Sequence, residues 1–226
     1  MKRSLPDIAA ALVVIPVALV LFAARTSSSR TLAAPAPAPM FEVVSAAAAE
    51  DTAVFAGGCF WGIEAVYDHV KGVKSAVSGY AGGTVANPSY EQVSTGDTGH
   101  AESVQVIYDP SQVSYGKLLQ IFFSVGHDPT QLNRQGPDHG TQYRSAIFYM
   151  TPQQHQVAES YIRQLTEAKT FSRPIVTQVT KLAGFYRAEE YHQHYLAQHP
   201  NQLYIVINDK PKVAALKKEF PDIYRN

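Results

Sequence analysis

With one cysteine in 226 residues, this chain cannot form an intramolecular disulfide, so its fold must be held by packing. The length suits that demand: it corresponds to one domain plus appendages and allows a sizeable buried core. Cys59 stands in the run Val54-Phe55-Ala56-Gly57-Gly58-Cys59-Phe60-Trp61-Gly62, where a short apolar strand breaks on two glycines and an amphipathic segment begins. From Trp61 onward, Ile63, Val66, Tyr67 and Val70 recur at the spacing of one helical face, which puts Cys59 at or just before a first helical turn. Unpaired N–H groups and the positive end of the macrodipole favour an anion there, so the spacing predicts a thiol below the ~8.5 of free cysteine. Gly57 and Gly58 permit a tight turn and close approach of another molecule. A lone cysteine is more often a small buried apolar residue. Strand, double glycine, cysteine and two adjacent aromatics tilt this one toward a nucleophile.

The rest of the chain alternates. Strands are expected at 52–56, 73–80, 102–108 and 144–150, with helices at 60–70 and 115–125. Two long loops, 81–100 and 126–142, interrupt them, and loops of that length in a compact domain usually have a use. Strand-helix-strand-strand-helix-strand is the order of a split βαβ unit, so the fold class expected is α+β: a ferredoxin-like βαββαβ sheet with helices packed on one face, plus a C-terminal helical extension. Further on, Thr151 and Pro152 read as cap and first position of a helix to Ala168. A strand at 175–180, a helix at 188–198 and a last helix at 210–220 follow, the lysines of the last being read as a solvated face.

Nineteen basic and nineteen acidic residues cancel, so nothing argues for nucleic acid as a partner. Lys2 and Arg3 precede an apolar run from Ile8 to Ala24, which is short for a membrane span and long for a signal-peptide core. The alanine-proline stretch after it would disconnect that run from the core. The expected division is a signal peptide or membrane anchor at 1–30, an Ala/Pro-rich linker at 31–50 and a catalytic domain at 51–226. Retained anchor and cleaved signal both remain open. Either one places the folded part outside the cytoplasm, exported, periplasmic or membrane-anchored.

Gly58-Cys59-Phe60-Trp61-Gly62 resembles the active-site signature of the A-type peptide methionine sulfoxide reductases. Gly99-His100-Ala101-Glu102 and Asp138-His139-Gly140-Thr141-Gln142-Tyr143-Arg144-Ser145 resemble two further signatures of that family, in the expected order. Three motifs in register, within a resemblance running from about Thr52 to Leu196, carry more than any one of them. The resemblance implies thiol-dependent reduction of methionine S-sulfoxide, free or in oxidised proteins, through a sulfenic acid on Cys59. Glu102 would be the acid, provided burial beside aromatic side chains keeps it protonated. Tyr90 and Tyr143 match the family's oxygen-binding tyrosines, able to hydrogen-bond the sulfoxide oxygen. Phe60 and Trp61 offer an apolar recess for the S-methyl group, and Asp138 matches a loop aspartate that organises the site. Arg144 reads as structural. For each residue a plainer reading stands beside this one: Glu102 as a strand-end surface carboxylate, the tyrosines and Phe60 as packing, Asp138 as a turn residue after Gly136-Pro137.

Many relatives resolve the sulfenic acid with a second cysteine. Here there is none, so an external thiol reductant is required, whether thioredoxin, glutaredoxin or a small thiol. No bound cofactor and no metal are expected, and the chain is expected to be a monomer. Three other classes compete. One is a cysteine hydrolase using His100, His139 or His192. Another is a metal site at Glu189, Glu190, His192 and His194, whose two histidines are spaced wrongly for one helical face. The third is an envelope module that binds oxidised proteins without turnover.

Overall fold

A computed structural model describes residues 34–42 and 50–226. The apolar run at 8–24 therefore lies outside the described residues. Among those described, no helix is long and apolar enough to cross a membrane.

Strand β1 (Asp51–Gly57) is buried from its third residue on and sits between two antiparallel neighbours. These are β3 (Ala101–Tyr108), with Phe55 opposite Val104, and β6 (Ser145–Tyr149), with Gly57 opposite Ser145. Strand β2 (Val73–Ala81) pairs antiparallel with β3, setting Tyr80 opposite Glu102. Two short edge strands complete the sheet: β7 (Gln178–Lys181), parallel to β6, and β8 (Phe185–Arg187), antiparallel to β2. The order is β7-β6-β1-β3-β2-β8, a six-stranded mixed sheet with the expected four strands at its centre. Strand β7 begins three residues later than the sequence predicts, because Val176 N–H is diverted to Pro129 O at 2.8 Å.

Helix α1 (Phe60–Asp68) buries Ile63, Val66 and Tyr67, as its spacing predicts, and Val70 follows them inside. Phe55 of β1 stacks on Tyr67 and Phe122 at 5.4 and 5.1 Å between centroids. The same cluster takes in Leu118 and Leu119 of α3 (Tyr115–Ile121, running on into a wider π turn at Phe122–Gly126), Tyr161 and Leu165 of α4 (Pro152–Glu167), and Leu216 of a final helix at 210–219. Each fully buried side chain of this kind contributes roughly 1.5–3 kcal/mol. The opposite face of the sheet buries Val54, Ala56, Ala81, Ala101, Ala146 and Phe148 under Leu182 and Phe185. Thr151 caps α4 by accepting from Gln154 N–H, with Pro152 in the first turn.

Both long loops carry local structure that the sequence reading left out. The first holds α2 (Tyr90–Ser94), started by a capping box between Ser89 and Gln92. The second holds a hairpin of β4 (Arg134–Gln135) and β5 (Asp138–His139) and a 3-10 turn at Thr141–Tyr143. Arg144 braces both, donating to Thr141 O and Gly99 O at 3.0 Å each.

The helix expected at 188–198 does not form. Its place is taken by a 3-10 turn at Glu190–His192 and a short helix α5 (Tyr195–Gln198), separated by His194 at φ 50°. The cause is tertiary. Gln193 lays its buried side-chain amide along β2, accepting from Ser78 N–H at 3.1 Å and donating to Ser78 O at 3.0 Å, as a neighbouring strand would. Glu64 Oε2 then takes His194 N–H at 2.8 Å. These bonds outweigh the helical preference of the segment.

The final helix α6 (Lys210–Glu219) corrects another expectation. Lys210, Lys217 and Lys218 are exposed, but Lys212 is buried and bonded to Asp209. Residues 34–42, read as linker, lie along α3 and α4. Ala36 is buried, its N–H donating to Ser124 Oγ at 2.9 Å and its carbonyl accepting from Gln120 Nε2 at 2.7 Å. Tyr161 Oη donates to Pro37 O, while Gln164 bridges Ala38 O and Met40 N–H.

Candidate functional site

The end of β1 delivers the cysteine. Gly58 has φ +94°, and a Cβ there would lie 2.5 Å from the Gln135 side chain, so both conformation and space require glycine. Gly57 is held closely too, with His127 Cγ 2.9 Å from where its Cβ would be. Cys59 follows as the N-cap of α1, with extended ψ and no side-chain cap, leaving first-turn N–H groups unpaired by the helix.

One of those groups is claimed from across the sheet. Phe60 N–H donates to Glu102 Oε2 at 3.1 Å. Glu102 is 3% exposed, and burial pushes its carboxyl up to about 8; the Phe60 N–H opposes this while the Asp138 and Asp209 carboxylates add to it. At neutral pH this side chain holds a proton, and the surface-carboxylate reading does not apply.

The thiol departs from expectation. Burial raises Cys59 well above the ordinary cysteine value, with the Glu102 and Asp209 charges adding, against the Trp61 backbone N–H and Lys212, which lower it. Desolvation of a cysteine only 8% exposed outweighs the helix terminus on which the sequence argument relied. At rest the site therefore pairs a protonated thiol with a protonated carboxyl.

Around these two groups the aromatic residues close in. Tyr90 starts α2, where its N–H donates to Glu189 Oε1 at 2.8 Å and its ring lies 4.4 Å from that of His192. Tyr143 sits on the 3-10 turn. Burial raises both phenols, and the charges of Glu102 and Cys59 act on each, which places all four groups in one electrostatic neighbourhood. Asp138, on β5, accepts from Tyr204 Oη, and burial raises its carboxyl. Phe60 is 1% exposed and packs on Tyr80 and His192, so it is core as well as neighbour to the cysteine. Trp61 is half-buried: its ring stacks on Tyr195 at 3.8 Å, meets Tyr204 edge-on, and its Nε1–H donates to His192 Nδ1 at 3.2 Å.

The sequence reading missed Tyr204, Tyr195, Asp209 and Lys212, all from the last quarter of the chain, where no short-range periodicity marks them. His192 appeared there only as a hydrolase base or metal ligand. Burial lowers its imidazole, and with Nδ1 accepting from Trp61 the ring stands neutral against the aromatic wall. His100 is spent on its loop, its ring nitrogens bonding Gly83 N–H and Val85 O, and His139 is exposed. Glu189 accepts from Tyr80 Oη and Tyr90 N–H, Glu190 pairs with Arg187, His192 with Trp61 and His194 with Asp68, so no two residues of the metal reading share a partner. A cavity of about 460 Å³ lies elsewhere, lined by Glu42, Asp51, Tyr108 and Gln154 among others and by none of the groups around Cys59.

The arrangement joins a reducing sulfur, a proton donor and phenolic hydrogen-bond donors under an aromatic wall. Known proteins resemble the chain that carries it. The family model for peptide methionine sulfoxide reductase matches residues 51–223. The chain is 59% identical to a peptide methionine sulfoxide reductase MsrA 2 of Mesorhizobium japonicum, over 79% of this chain and 92% of that one. It is 53% identical to another MsrA 2, from Synechocystis, over 80% and 84%. Among solved structures, the methionine sulfoxide reductase A of Corynebacterium diphtheriae superposes with a TM-score of 0.59 at 37% identity, covering 75% of this chain and 84% of that one. Reduced Mxr1 from Saccharomyces cerevisiae gives 0.62 at 35%, covering 67% and 87%. The chain belongs to the A-type peptide methionine sulfoxide reductases, a family that reduces methionine sulfoxide.

Proposed function

We propose that this protein reduces methionine S-sulfoxide, free or in oxidised proteins, by oxygen transfer to Cys59. The observation that carries this reading is the buried Glu102, poised near pH 8 and bonded to the N–H of the residue after the cysteine. A carboxyl in that state donates a proton at neutral pH, which a departing oxygen needs and a thiol above its ordinary range supplies poorly. Tyr90 and Tyr143 hydrogen-bond the sulfoxide oxygen; Phe60 and Trp61 receive the S-methyl group; Asp138 acts through Tyr204 to organise the site.

The step balances. As the substrate S–O bond breaks, an S–O bond forms on Cys59, whose sulfur loses the two electrons that the substrate sulfur gains. Glu102 protonates the oxygen and recovers the proton of the thiol, leaving methionine and a sulfenic acid. One external thiol then condenses with the sulfenic acid, releasing water and forming a mixed disulfide. A second thiol, or the second sulfur of a dithiol protein, then attacks the mixed disulfide, releasing Cys59 as the thiol and leaving the reductant as the disulfide. No bound cofactor enters the cycle. The catalytic domain, residues 51–226 with 34–42 packed along it, works as a monomer outside the cytoplasm, exported or tethered through residues 1–30.

Mass spectrometry after one equivalent of methionine sulfoxide, with no added thiol, tests the reading. Expected are one oxygen on Cys59, trapped by a sulfenate-selective reagent, and one methionine released. Methionine release with Cys59 unmodified would defeat it.

A further inference from the structure

Against the first turn of α1 lies a buried ion pair that the reaction above does not use. Asp209 closes a π turn at Ile205–Asp209, exposes no surface, and accepts from Lys212 Nζ at 3.1 Å. Lys212 is itself only 9% exposed. Both rest on Gly62: a Cβ at that position would lie 2.2 Å from Asp209 Oδ1 and 2.8 Å from Lys212 Nζ. The missing side chain is therefore the space the pair occupies, three residues after Cys59. Asp209 Oδ2 is buried with no hydrogen-bond partner. As a device for stability this is poor, since burying two charges costs several kcal/mol per ion and apolar side chains of equal volume often do as well. A half-satisfied ion pair seated on the turn that presents the reacting sulfur points to a role in charge.

We propose that Asp209 and Lys212 are positioning residues for the reaction at Cys59: seated on Gly62, they set the charge balance felt by the sulfur, Lys212 favouring and Asp209 opposing the anionic form that attacks the sulfoxide. The inference rests on the reading of Cys59 as nucleophile. Of the groups acting on the sulfur, Asp209 and the ionised form of Glu102 oppose the anion and Lys212 favours it. The other titratable groups facing the cluster are Tyr90 on α2, Tyr143 on the 3-10 turn, Asp138 on β5 and Tyr204 ahead of the π turn. His127 also feels Lys212, but burial pushes it down to about 4, so it is neutral at working pH. Asp209 acts on Glu102 too, helping it keep its proton. One pair thus biases both proton-holding groups of the site, and the two members bias the sulfur in opposite senses.

That opposition makes the test. Cys59 is titrated through its alkylation rate by iodoacetamide across pH in the full chain, with thermal melting alongside. Lys212→Met should move the midpoint up by about one pH unit and slow single-turnover methionine formation at pH 7 by about tenfold. Asp209→Asn should move the midpoint down, the double variant should return close to the wild-type midpoint, and Lys212→Arg should retain it. Gly62→Ala displaces both members together without deleting a charge and, like the double variant, should leave the midpoint close to wild type; should a single variant fail to fold, Lys212→Gln and Asp209→Ala carry the same two opposite expectations. A merely structural pair would lower the melting temperature of every variant and leave the midpoint of the folded protein unmoved. That result, or shifts of the two single variants in one direction, overturns the proposal. Alkylation reports the thiol whether or not turnover occurs, so failure of Cys59 to accept oxygen would show separately in the mass of the wild-type protein.

Discussion

Residues 57–62 and residues 186–212 both supply groups to the cluster at Cys59, by different means. The first stretch is a strand end, a glycine with φ +94° and a helix start, each signalled by neighbours in sequence. The second is a chain of short turns: a 3-10 turn, a left-handed His194, a four-residue helix and a π turn. Local turn bonds run through it, but long-range bonds place it. Gln193 replaces a strand on β2, Glu64 takes His194 N–H, and Tyr204 reaches Asp138. The wall legible from local rules holds the cysteine, and the wall placed by long-range bonds shapes its surroundings. Variants on the two walls should differ accordingly.

The largest effect is expected at Cys59→Ser. Methionine formation should fall by on the order of 10³ or more with the melting temperature little changed; comparable turnover by the serine variant would dissolve the comparison at its centre. Glu102→Gln comes next, slowing the single-turnover rate by roughly 10²–10³, and the wild-type rate should decline as pH passes about 8.

The same residue yields a stability test of opposite sign. Its carboxyl ionises near 8 in the fold against an ordinary 4.5, so the unfolded chain releases the proton first as pH rises. The stabilisation from the bound proton is complete below about 4.5 and is lost between there and 8. Glutamine cannot ionise yet can still accept from Phe60 N–H. Glu102→Gln should thus be more stable than wild type at pH 8 by roughly 1–4 kcal/mol, with the gap closing near pH 4. Denaturant midpoints at the two pH values would reveal a missing or reversed gap.

On the far wall, Tyr204→Phe deprives Asp138 of its donor and should lower kcat/KM by about tenfold, corresponding to roughly 1–2 kcal/mol. A loss as deep as that of Glu102→Gln would move the chemistry to this wall. The smallest effect on rate belongs to Gln193→Ala. It strips Ser78 N–H of its partner while Ser78 O keeps Ala188 N–H, and should cost roughly 1–3 kcal/mol of stability, while kcat per folded molecule stays within about twofold of wild type.

What could be read in the sequence follows the same division. Periodicity located β1, α1, β3 and the buried face of α1; Thr151-Pro152 located the start of α4. Three motifs located Cys59, Glu102, Tyr143 and Asp138. Signals of this kind are local, and they succeed where the chain obeys short-range rules. They failed at 188–198, where the bonds of Gln193 override a helical pattern, and at Lys212, where one lysine of an otherwise solvated face turns inward. They also missed the direction of the Cys59 thiol. A helix terminus can be read from spacing, whereas the desolvation opposing it depends on walls brought in from Glu102, Tyr204 and Asp209.

The stretch at 34–42 has a mechanical corollary. Its bonds at Ala36, Pro37, Ala38 and Met40 reach Ser124, Gln120, Tyr161 and Gln164 and run along two helices. A pull on the chain ahead of residue 34 would load this clip in shear before any tension reached β1. The strand that presents the cysteine is thereby insulated from whatever tugs on the amino terminus.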